Sequence, residues 1–204
     1  MSHAEPPSAW VHPVTLTGRS VRLEPLDPRH ASDLALAATP ETFRYFSWGP
    51  DRFDAEGLGD FIAFMGELKR TVPFAIIALD TGRAVGITSY LDIRDKHRGL
   101  EIGWTWIAAD RRGTAINPEM KLLLMTHAFE TLGAIRVCLK TDLRNQRSQA
   151  AIAKLGAVRE GVLRELIIMR DGHRRHTVFF SILESEWPGV RAGLTARLAA
   201  FAAG

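Results

Sequence analysis

The chain has 204 residues, of which 46% are hydrophobic and 24% charged, with a net charge of +3. This length and composition are typical of one globular domain with a sizeable core, and no apolar run approaches the roughly 20 residues that a membrane-spanning helix needs. The single cysteine, Cys138, excludes an internal disulfide and argues against a zinc site. We expect a cytoplasmic protein whose residues 1–13 form a loose tail, because they contain Pro6, Pro7 and Pro13 but no signal-peptide-like apolar stretch.

The N-terminal half of the sequence alternates strand and helix patterns. Apolar residues alternate around Gly18 and Arg19, which predicts a hairpin. Apolar residues at helical spacing predict two helices, and a turn at residues 80–83 joins two antiparallel strands. The predicted elements are a hairpin over 14–26, helices over 28–38 and 54–70, and strands over 74–79, 84–93 and 100–107.

The C-terminal half changes to strand, helix, strand. Asn117 can cap a helix, Pro118 suits its first turn, and Gly133 can end it. A strand–helix–strand unit of this length implies a parallel strand pair with a right-handed crossover. The predicted elements are helices over 117–132 and 146–155, a strand over 134–141, a hairpin over 158–170 and 174–183, and a helix over 186–203.

The segment over residues 104–118 is a candidate phosphate site. A strand runs into a glycine-containing loop that opens a helix, so free N–H groups and the positive end of the helix dipole meet there. Arg111 and Arg112 add positive charge. The alternative is an ordinary connection whose arginines are only solvated. The segment matches neither a dinucleotide fingerprint nor a P-loop.

Basic residues crowd the C-terminal half, and their charge suits a nucleic acid or a small polyanion such as a phosphorylated cofactor. They are spread over strands, loops and a helix, with no basic helix carrying interleaved aromatics. This distribution disfavours nucleic acid, although charge alone does not decide between the two.

Four stretches of the sequence carry a resemblance to a known family. They are the Glu101-Ile-Gly-Trp104 strand, the Arg112-Gly113 loop, the Asn145-x-x-Ser148 motif and the Lys154-Leu-Gly-Ala helix end. Together they resemble the GNAT acetyltransferases, and most closely the branch that includes the RimJ/RimL-type ribosomal-protein N-terminal acetyltransferases. The resemblance covers roughly residues 14–187.

The resemblance implies an α/β (α+β) fold. A mixed, strongly twisted sheet of about seven strands would be flanked by helices, and its central parallel pair would splay apart. The acetyltransferase domain would span residues 14–185. The helix over 186–204 would pack on this domain, extend it, or join two copies in a homodimer.

The resemblance also implies where acetyl-CoA binds. Its pantetheine arm would insert between the splayed strands and pair with backbone of Trp106, Ile107 and Ala108. This chain has Ala115 and Asn117 where the family loop usually has small residues, which puts cofactor affinity in question. The amides expected to hold the pyrophosphate belong to Arg112, Gly113, Thr114, Ala115, Ile116 and Asn117.

Transfer to an amine requires a base, oxyanion stabilisation and protonation of the leaving thiolate. Ser148 matches the family serine that faces the thioester sulfur; alternatively it only helps to start a helix. Asn145 would hold the pantetheine or its loop, or act as a turn residue. Glu101 is the candidate base, unless it only pairs with an arginine, and Glu160 is the second candidate.

The predicted function is therefore transfer of an acetyl group from acetyl-CoA to a primary amine, on a protein N-terminus or a small molecule, by direct attack in a ternary complex. No metal is required, and His173 and His176 are expected to decorate a hairpin turn. The aromatic loop from Tyr45 to Trp48 would border the acceptor site or pack under the helices. The alternatives are a catalytically weak or inactive GNAT-fold binding protein and, with only charge in its favour, a nucleic-acid binder.

Overall fold

In the computed structural model, which describes residues 10–202, eight strands form one mixed sheet and five α-helices flank it. The strands are β1 (Leu16–Thr17), β2 (Val21–Pro25), β3 (Val72–Ala78), β4 (Arg83–Arg94), β5 (Gly99–Ile107), β6 (Arg136–Asp142), β7 (Val158–Ile168) and β8 (Arg174–Leu183). The helices are α1 (Ala31–Ala37), α2 (Ala55–Glu67), α3 (Ile116–Thr126), α4 (Gln146–Ala153) and α5 (Trp187–Ala202). None of these helices is long and apolar enough to cross a membrane.

The sheet has the order β1-β2-β3-β4-β5-β6-β8-β7, and only the β5–β6 pair is parallel. Pairing between β5 and β6 extends from Gly99–Arg136 to Glu101–Cys138 and then stops, although β5 continues to Ile107. The two strands therefore separate beyond Glu101. The expected mixed sheet with a splayed parallel pair is confirmed.

Strand β5 is irregular just beyond the point where it leaves β6. Ile87 of β4 pairs with Trp106, but the next pair joins Ser89 to Gly103, so β5 carries an extra residue there. Trp104 in this bulge has a φ of 49°, which a bulky side chain rarely adopts. Gly86 allows the two strands to approach, because a Cβ atom there would lie 2.1 Å from the carbonyl oxygen of Trp106.

Each face of the sheet is covered by its own apolar cluster. Helices α1 and α2 cover one face through residues that include Leu34, Phe61 and Met65. Helices α3 and α5 contribute Met120 and Leu194, among others, to the cluster on the other face. The β5–β6 opening thus lies in the middle of a sheet that is supported on both sides.

Helix α3 begins one residue earlier than the sequence indicated. Ala115, with a helical φ of −63°, precedes the first helical residue Ile116, so Asn117 lies inside the first turn and is not the cap. The prediction of Asn117 as a cap is therefore wrong. The α-helix ends at Thr126 and continues as one π-helical stretch, His127–Thr131, before Gly133 terminates it with a φ of 65°.

Both ends of the described chain pack on the domain. Residues 1–9 of the predicted tail lie outside the described residues. Trp10 and Val11 differ from a loose tail: the Trp10 indole N–H donates to the Leu132 carbonyl at 2.8 Å, and Val11 is buried in the core. At the other end, α5 buries Trp187, whose indole N–H donates to Glu130 at 2.7 Å.

Candidate active site

A groove of about 500 Å³ occupies the opening between β5 and β6. Residues 102–107 of β5 form one wall, and the end of β6 with helix α4 forms the other. Beyond Glu101, β5 has a strand neighbour only on its β4 side. Because that leaves unpaired backbone N–H and C=O groups along the groove, the edge can accept an extended ligand as a further strand would.

One end of the groove is suited to phosphate. Gly113, with a φ of 78°, and Asn117 line it at the start of α3, where the helix dipole is positive. Arg112 and Arg147 line the same groove, and neither forms an ion pair within residues 10–202. Burial lowers the pKa of Arg112, and the nearby charge of Arg147 lowers it further. Two neighbouring cations without a carboxylate partner favour a polyanionic ligand.

The groove gathers some of the residues predicted to bind the cofactor and leaves out others. Arg111 does not line it, because its guanidinium donates to Asp80 at 2.5 Å. The Ala108 amide donates to the Val85 carbonyl at 2.7 Å, which removes it as a ligand donor. Thr114, Ala115 and the buried Ile116 also do not line the groove. The predicted residues that do line it are Trp106, Ile107, Arg112, Gly113, Asn117, Asn145 and Ser148.

The start of helix α4 shows how Asn145 and Ser148 divide their roles. The Asn145 side-chain oxygen accepts from the Ser148 backbone N–H at 3.0 Å and caps the helix. The side chain that caps α4 is therefore that of Asn145 and not the Ser148 hydroxyl. Both residues line the groove.

Glu101 lies in the groove at the point where β5 and β6 part. Its carboxylate accepts from the Lys140 ammonium at 2.7 Å, so the partner is a lysine and not the arginine considered from the sequence. Burial raises the pKa of Glu101, and the Lys140 charge opposes that rise. A Cβ atom on Gly103 would lie 2.8 Å from the Glu101 carboxylate, so this glycine leaves room for it.

Glu160, the second candidate base, does not reach the groove. It lies beside the first residue of β6, where it forms an ion pair with Arg136 and accepts from the Ser181 hydroxyl at 2.8 Å. The groove is at the opposite end of β6. These contacts lower the pKa of Glu160, and a carboxylate held this way is a poor base. Glu160 is therefore not placed to act as the base in the groove.

Cysteine and metal chemistry have little support in the described chain. Cys138 is buried, and burial raises the pKa of its thiol to about 11, which disfavours the thiolate that a nucleophile needs. Across residues 10–202, no three histidine, cysteine, aspartate or glutamate side chains are grouped as metal ligands.

Lys121 is a groove residue that the sequence reasoning missed. It lies one helical turn after Asn117, on the same face of α3, and that spacing was the available signal. Its ammonium donates to the Thr105 hydroxyl at 3.4 Å, and that hydroxyl is in turn 2.8 Å from the Thr88 hydroxyl. Burial lowers the pKa of Lys121 from 10.5 to about 7.

Lys121→Met is expected to stabilise the protein most below about pH 7. The folded-state pKa of Lys121 is below its ordinary value of 10.5, so wild-type stability rises as pH increases from about 7 to 10.5. The variant lacks this penalty, which is on the order of a few kcal/mol. Denaturant unfolding at several pH values should show that the difference in the free energy of unfolding between the variant and the wild type narrows toward pH 10.5. A difference that does not depend on pH would contradict the lowered pKa of Lys121.

The aromatic loop from Tyr45 to Trp48 was expected either to border the acceptor site or to pack under the helices, and its residues do some of each. Tyr45 and Phe46 line the groove, whereas Trp48 lies outside it, 58% exposed, with its ring 5.6 Å from that of Phe64. Phe46 also packs on Phe43, with ring centroids 5.3 Å apart. The loop therefore borders the groove while part of it rests on the helices.

A family model and a curated relative match this chain in sequence. Residues 20–158 match the family model described as an acetyltransferase (GNAT) domain. The Bacillus subtilis (strain 168) protein named "Putative ribosomal N-acetyltransferase YdaF" is 32% identical over 108 residues, which are 53% of this chain and 58% of that relative. This match thus spans less than two thirds of the relative's length.

Solved structures resemble the whole fold. A "putative acetyltransferase" from T. thermophilus is 41% identical with a TM-score of 0.87, over 93% of this chain and 99% of that one. Mycobacterium smegmatis RimJ, solved in complex with CoA-disulfide, has a TM-score of 0.76 over 91% of this chain and 95% of that one. At 22% identity, RimJ supports the fold alone.

Proposed function

This chain belongs to the GNAT acetyltransferase family, and on that basis we propose that it transfers the acetyl group of acetyl-CoA to a primary amine in a ternary complex. The observation that carries the proposal is the groove between β5 and β6. Its unpaired strand edge suits the amides of an extended pantetheine arm. The start of α3, with Arg112 and Arg147, suits the phosphates at the other end of the molecule.

The side chains in the groove suggest how the transfer proceeds. The neutral amine attacks the thioester carbonyl carbon, a C–N bond forms, and the carbonyl oxygen becomes an oxyanion that N–H groups on the free edge of β5 near Trp106 can stabilise. Glu101 takes the proton from the attacking nitrogen and releases it to solvent before the next turnover. As the C–S bond breaks, Ser148 donates its proton to the departing thiolate and is reprotonated from solvent.

The acceptor is proposed to be a protein N-terminus or a small amine. The word "ribosomal" in the name of YdaF supports the first. The groove volume of about 500 Å³ must hold the acceptor's reactive end beside the acetyl group, so a flexible chain end or a small molecule suits it better than a residue within a folded surface.

Two measurements test the proposed function. Calorimetry with acetyl-CoA is expected to show binding in the micromolar range, and a thiol-release assay with a panel of amines and N-terminal peptides is expected to show turnover with at least one of them. Absence of coenzyme A binding at tens of micromolar would overturn the proposal. Binding without turnover would favour the catalytically inactive alternative.

Ala115 and Asn117, the two atypical residues of the phosphate loop, are compatible with cofactor binding in this structure. Ala115 has a negative φ of −63°, so a glycine is not required there for backbone reasons. Asn117 lines the groove and can contact a ligand directly. Both observations favour an active enzyme over an inactive binding protein.

Part of the positive charge of the C-terminal half is neutralised by carboxylates of the same chain. Several of its arginines are neutralised by carboxylates of the same chain, which argues against a continuous basic surface. The ion pairs join Arg136 to Glu160, Arg144 to Asp142, Arg170 to Asp51 and Arg174 to Glu165.

Ser148→Ala is expected to lower kcat by about 10²-fold and to leave the Kd for coenzyme A nearly unchanged. The substitution removes the proposed proton donor but keeps the backbone N–H that Asn145 caps. Asn145→Ala is the contrasting variant, because it removes the cap and should lower the free energy of unfolding by about 1 kcal/mol. Steady-state kinetics with unchanged turnover in Ser148→Ala would remove Ser148 from the mechanism.

A further inference from the structure

Two buried polar side chains on β8 line the groove, and each has one polar atom without a hydrogen-bond partner among residues 10–202. Arg175 is 9% exposed and Thr177 is 1% exposed, and both line the groove. The Arg175 Nη1 donates to the Tyr45 carbonyl at 3.2 Å, which anchors the guanidinium. Its Nε and the Thr177 hydroxyl have no hydrogen-bond partner among residues 10–202.

The two carboxylates whose charges act on Arg175 already form ion pairs with other residues. Asp142 accepts from Arg144 at 2.8 Å, and Glu101 accepts from Lys140 at 2.7 Å. Both carboxylates act on Arg175 only electrostatically, and burial lowers the pKa of its guanidinium. A buried cation without a hydrogen-bonded counter-ion costs stability, on the order of 1–3 kcal/mol for each unsatisfied group. A ligand that supplies the missing acceptors would recover that cost.

The geometry points to an anion subsite for the acceptor. We propose that Arg175 and Thr177 bind a carboxylate of the amine acceptor, so that the acceptor is an amine with a carboxylate close to its nitrogen. Free α-amino acids and peptides whose first residue is acidic share this chemistry. The inference rests on the proposed acetyl transfer, since it names the acceptor class for that same groove.

Three features of the groove fit such an acceptor. With Nη1 held by Tyr45, the Arg175 Nε lies on the remaining side of the guanidinium, where a carboxylate can bind two N–H groups at once. The charge of Arg175 lowers the pKa of Glu101, which places the proposed anion subsite within electrostatic range of the proposed base. Apolar residues, including Phe46 and Ile167, also line the groove and can contact an apolar side chain of the acceptor.

Matched substrates test the proposal without any variant. The wild-type kcat/KM, calculated from the concentration of the neutral amine, is measured for L-phenylalanine against L-phenylalaninamide, and for C-terminally amidated peptides that begin with Asp against those that begin with Asn. The carboxylate member of at least one pair is expected to be preferred by about 10- to 100-fold, the range of a hydrogen bond to a charged group. The preferred pair identifies the source of the carboxylate.

Variants of Arg175 and Thr177 test whether these side chains cause the preference for the carboxylate substrate. Arg175→Met should reduce it to near unity, and Thr177→Val should reduce it by about 3- to 10-fold with little change in side-chain volume, which keeps the test available if Arg175→Met does not fold. The matched control is Arg174→Met: it removes one cation from the same strand, but the Arg174 side chain is 67% exposed and pairs with Glu165. The control should keep the wild-type preference.

A binding measurement separates this proposal from the proposed function. N-acetyl-L-phenylalanine and its amide, and the acetylated Asp and Asn peptides, are titrated into the protein with coenzyme A by calorimetry. Binding of coenzyme A without a carboxylate advantage in either pair overturns the subsite but not the acetyltransferase. Arg175-dependent binding of the carboxylate without coenzyme A binding overturns the acetyltransferase but not the subsite.

Discussion

Glu101→Gln is expected to reduce kcat by about 10²- to 10⁴-fold, the usual contribution of a general base. The amide cannot accept the proton of the attacking amine, whereas the rest of the groove keeps its shape because glutamine is nearly isosteric. The substitution also breaks the ion pair with Lys140, so folding should be checked by circular dichroism. The matched control is Glu160→Gln, which alters a carboxylate at the other end of β6 and should change kcat by less than about twofold.

The pH dependence adds an independent test of Glu101. Burial raises its pKa above the ordinary value of 4.5, and only the ionised carboxylate can act as the base. Wild-type kcat/KM should therefore fall as pH decreases through a pKa above 4.5, and this limb should be absent in Glu101→Gln. Lys140→Met should move the limb to higher pH, because the ammonium favours the ionised form of Glu101. Protonation of the substrate amine lowers kcat/KM in both proteins, so the test is the additional limb of the wild type: if that limb persists in Glu101→Gln, it belongs to another group.

Glu119→Ala is expected to lower the free energy of unfolding by about 3–6 kcal/mol. The Glu119 carboxylate, on α3, accepts from the backbone N–H groups of Arg19 and Ser20 at 2.7 Å each and of Val21 at 3.1 Å. It thereby ties the β1–β2 turn to the helix that opens the phosphate end of the groove. Alanine would leave these donors without their acceptor, one of them on the fully buried Val21.

Denaturant titrations would check the Glu119 prediction. Glu119→Gln keeps one acceptor oxygen and should lie between wild type and alanine. Glu56→Ala is the matched control, because the Glu56 side chain is 74% exposed and its ion pair with Arg52 should contribute less than about 1 kcal/mol. A loss in Glu119→Ala no larger than that of the control would show that water replaces the carboxylate at the turn.

Much of the fold follows from local signals in the sequence. Alternating and helical apolar patterns placed the strands and helices within a few residues, because they report which side of each element faces the core. The helix boundaries were less accurate: Ala115 adopts helical geometry, so α3 starts before Asn117 and Asn117 is not the cap. A cap depends on the dihedral angles of one residue, which its type only biases.

The candidate site was predictable where its residues are near in sequence and belong to a motif. Arg112, Gly113, Asn145 and Ser148 all line the groove as expected, because each lies at a strand-to-helix junction. Arg111 stands next to Arg112 but turns to Asp80 instead. The direction of the Arg111 side chain thus depends on a partner 31 residues away in the chain, which a local sequence pattern does not reveal.

The sequence by itself determined the order of elements, the parallel crossover unit and the groove's motif residues, because periodicity, turns and caps are properties of neighbouring residues. Only the tertiary structure decided which polar groups lose water and which keep a partner. It placed Lys121 against Thr105 and held Glu160 on Arg136, away from the groove. It also left the Arg175 Nε and the Thr177 hydroxyl buried with no hydrogen-bond partner among residues 10–202. Burial and ion pairing depend on contacts between distant segments, so no local pattern in the sequence reports them.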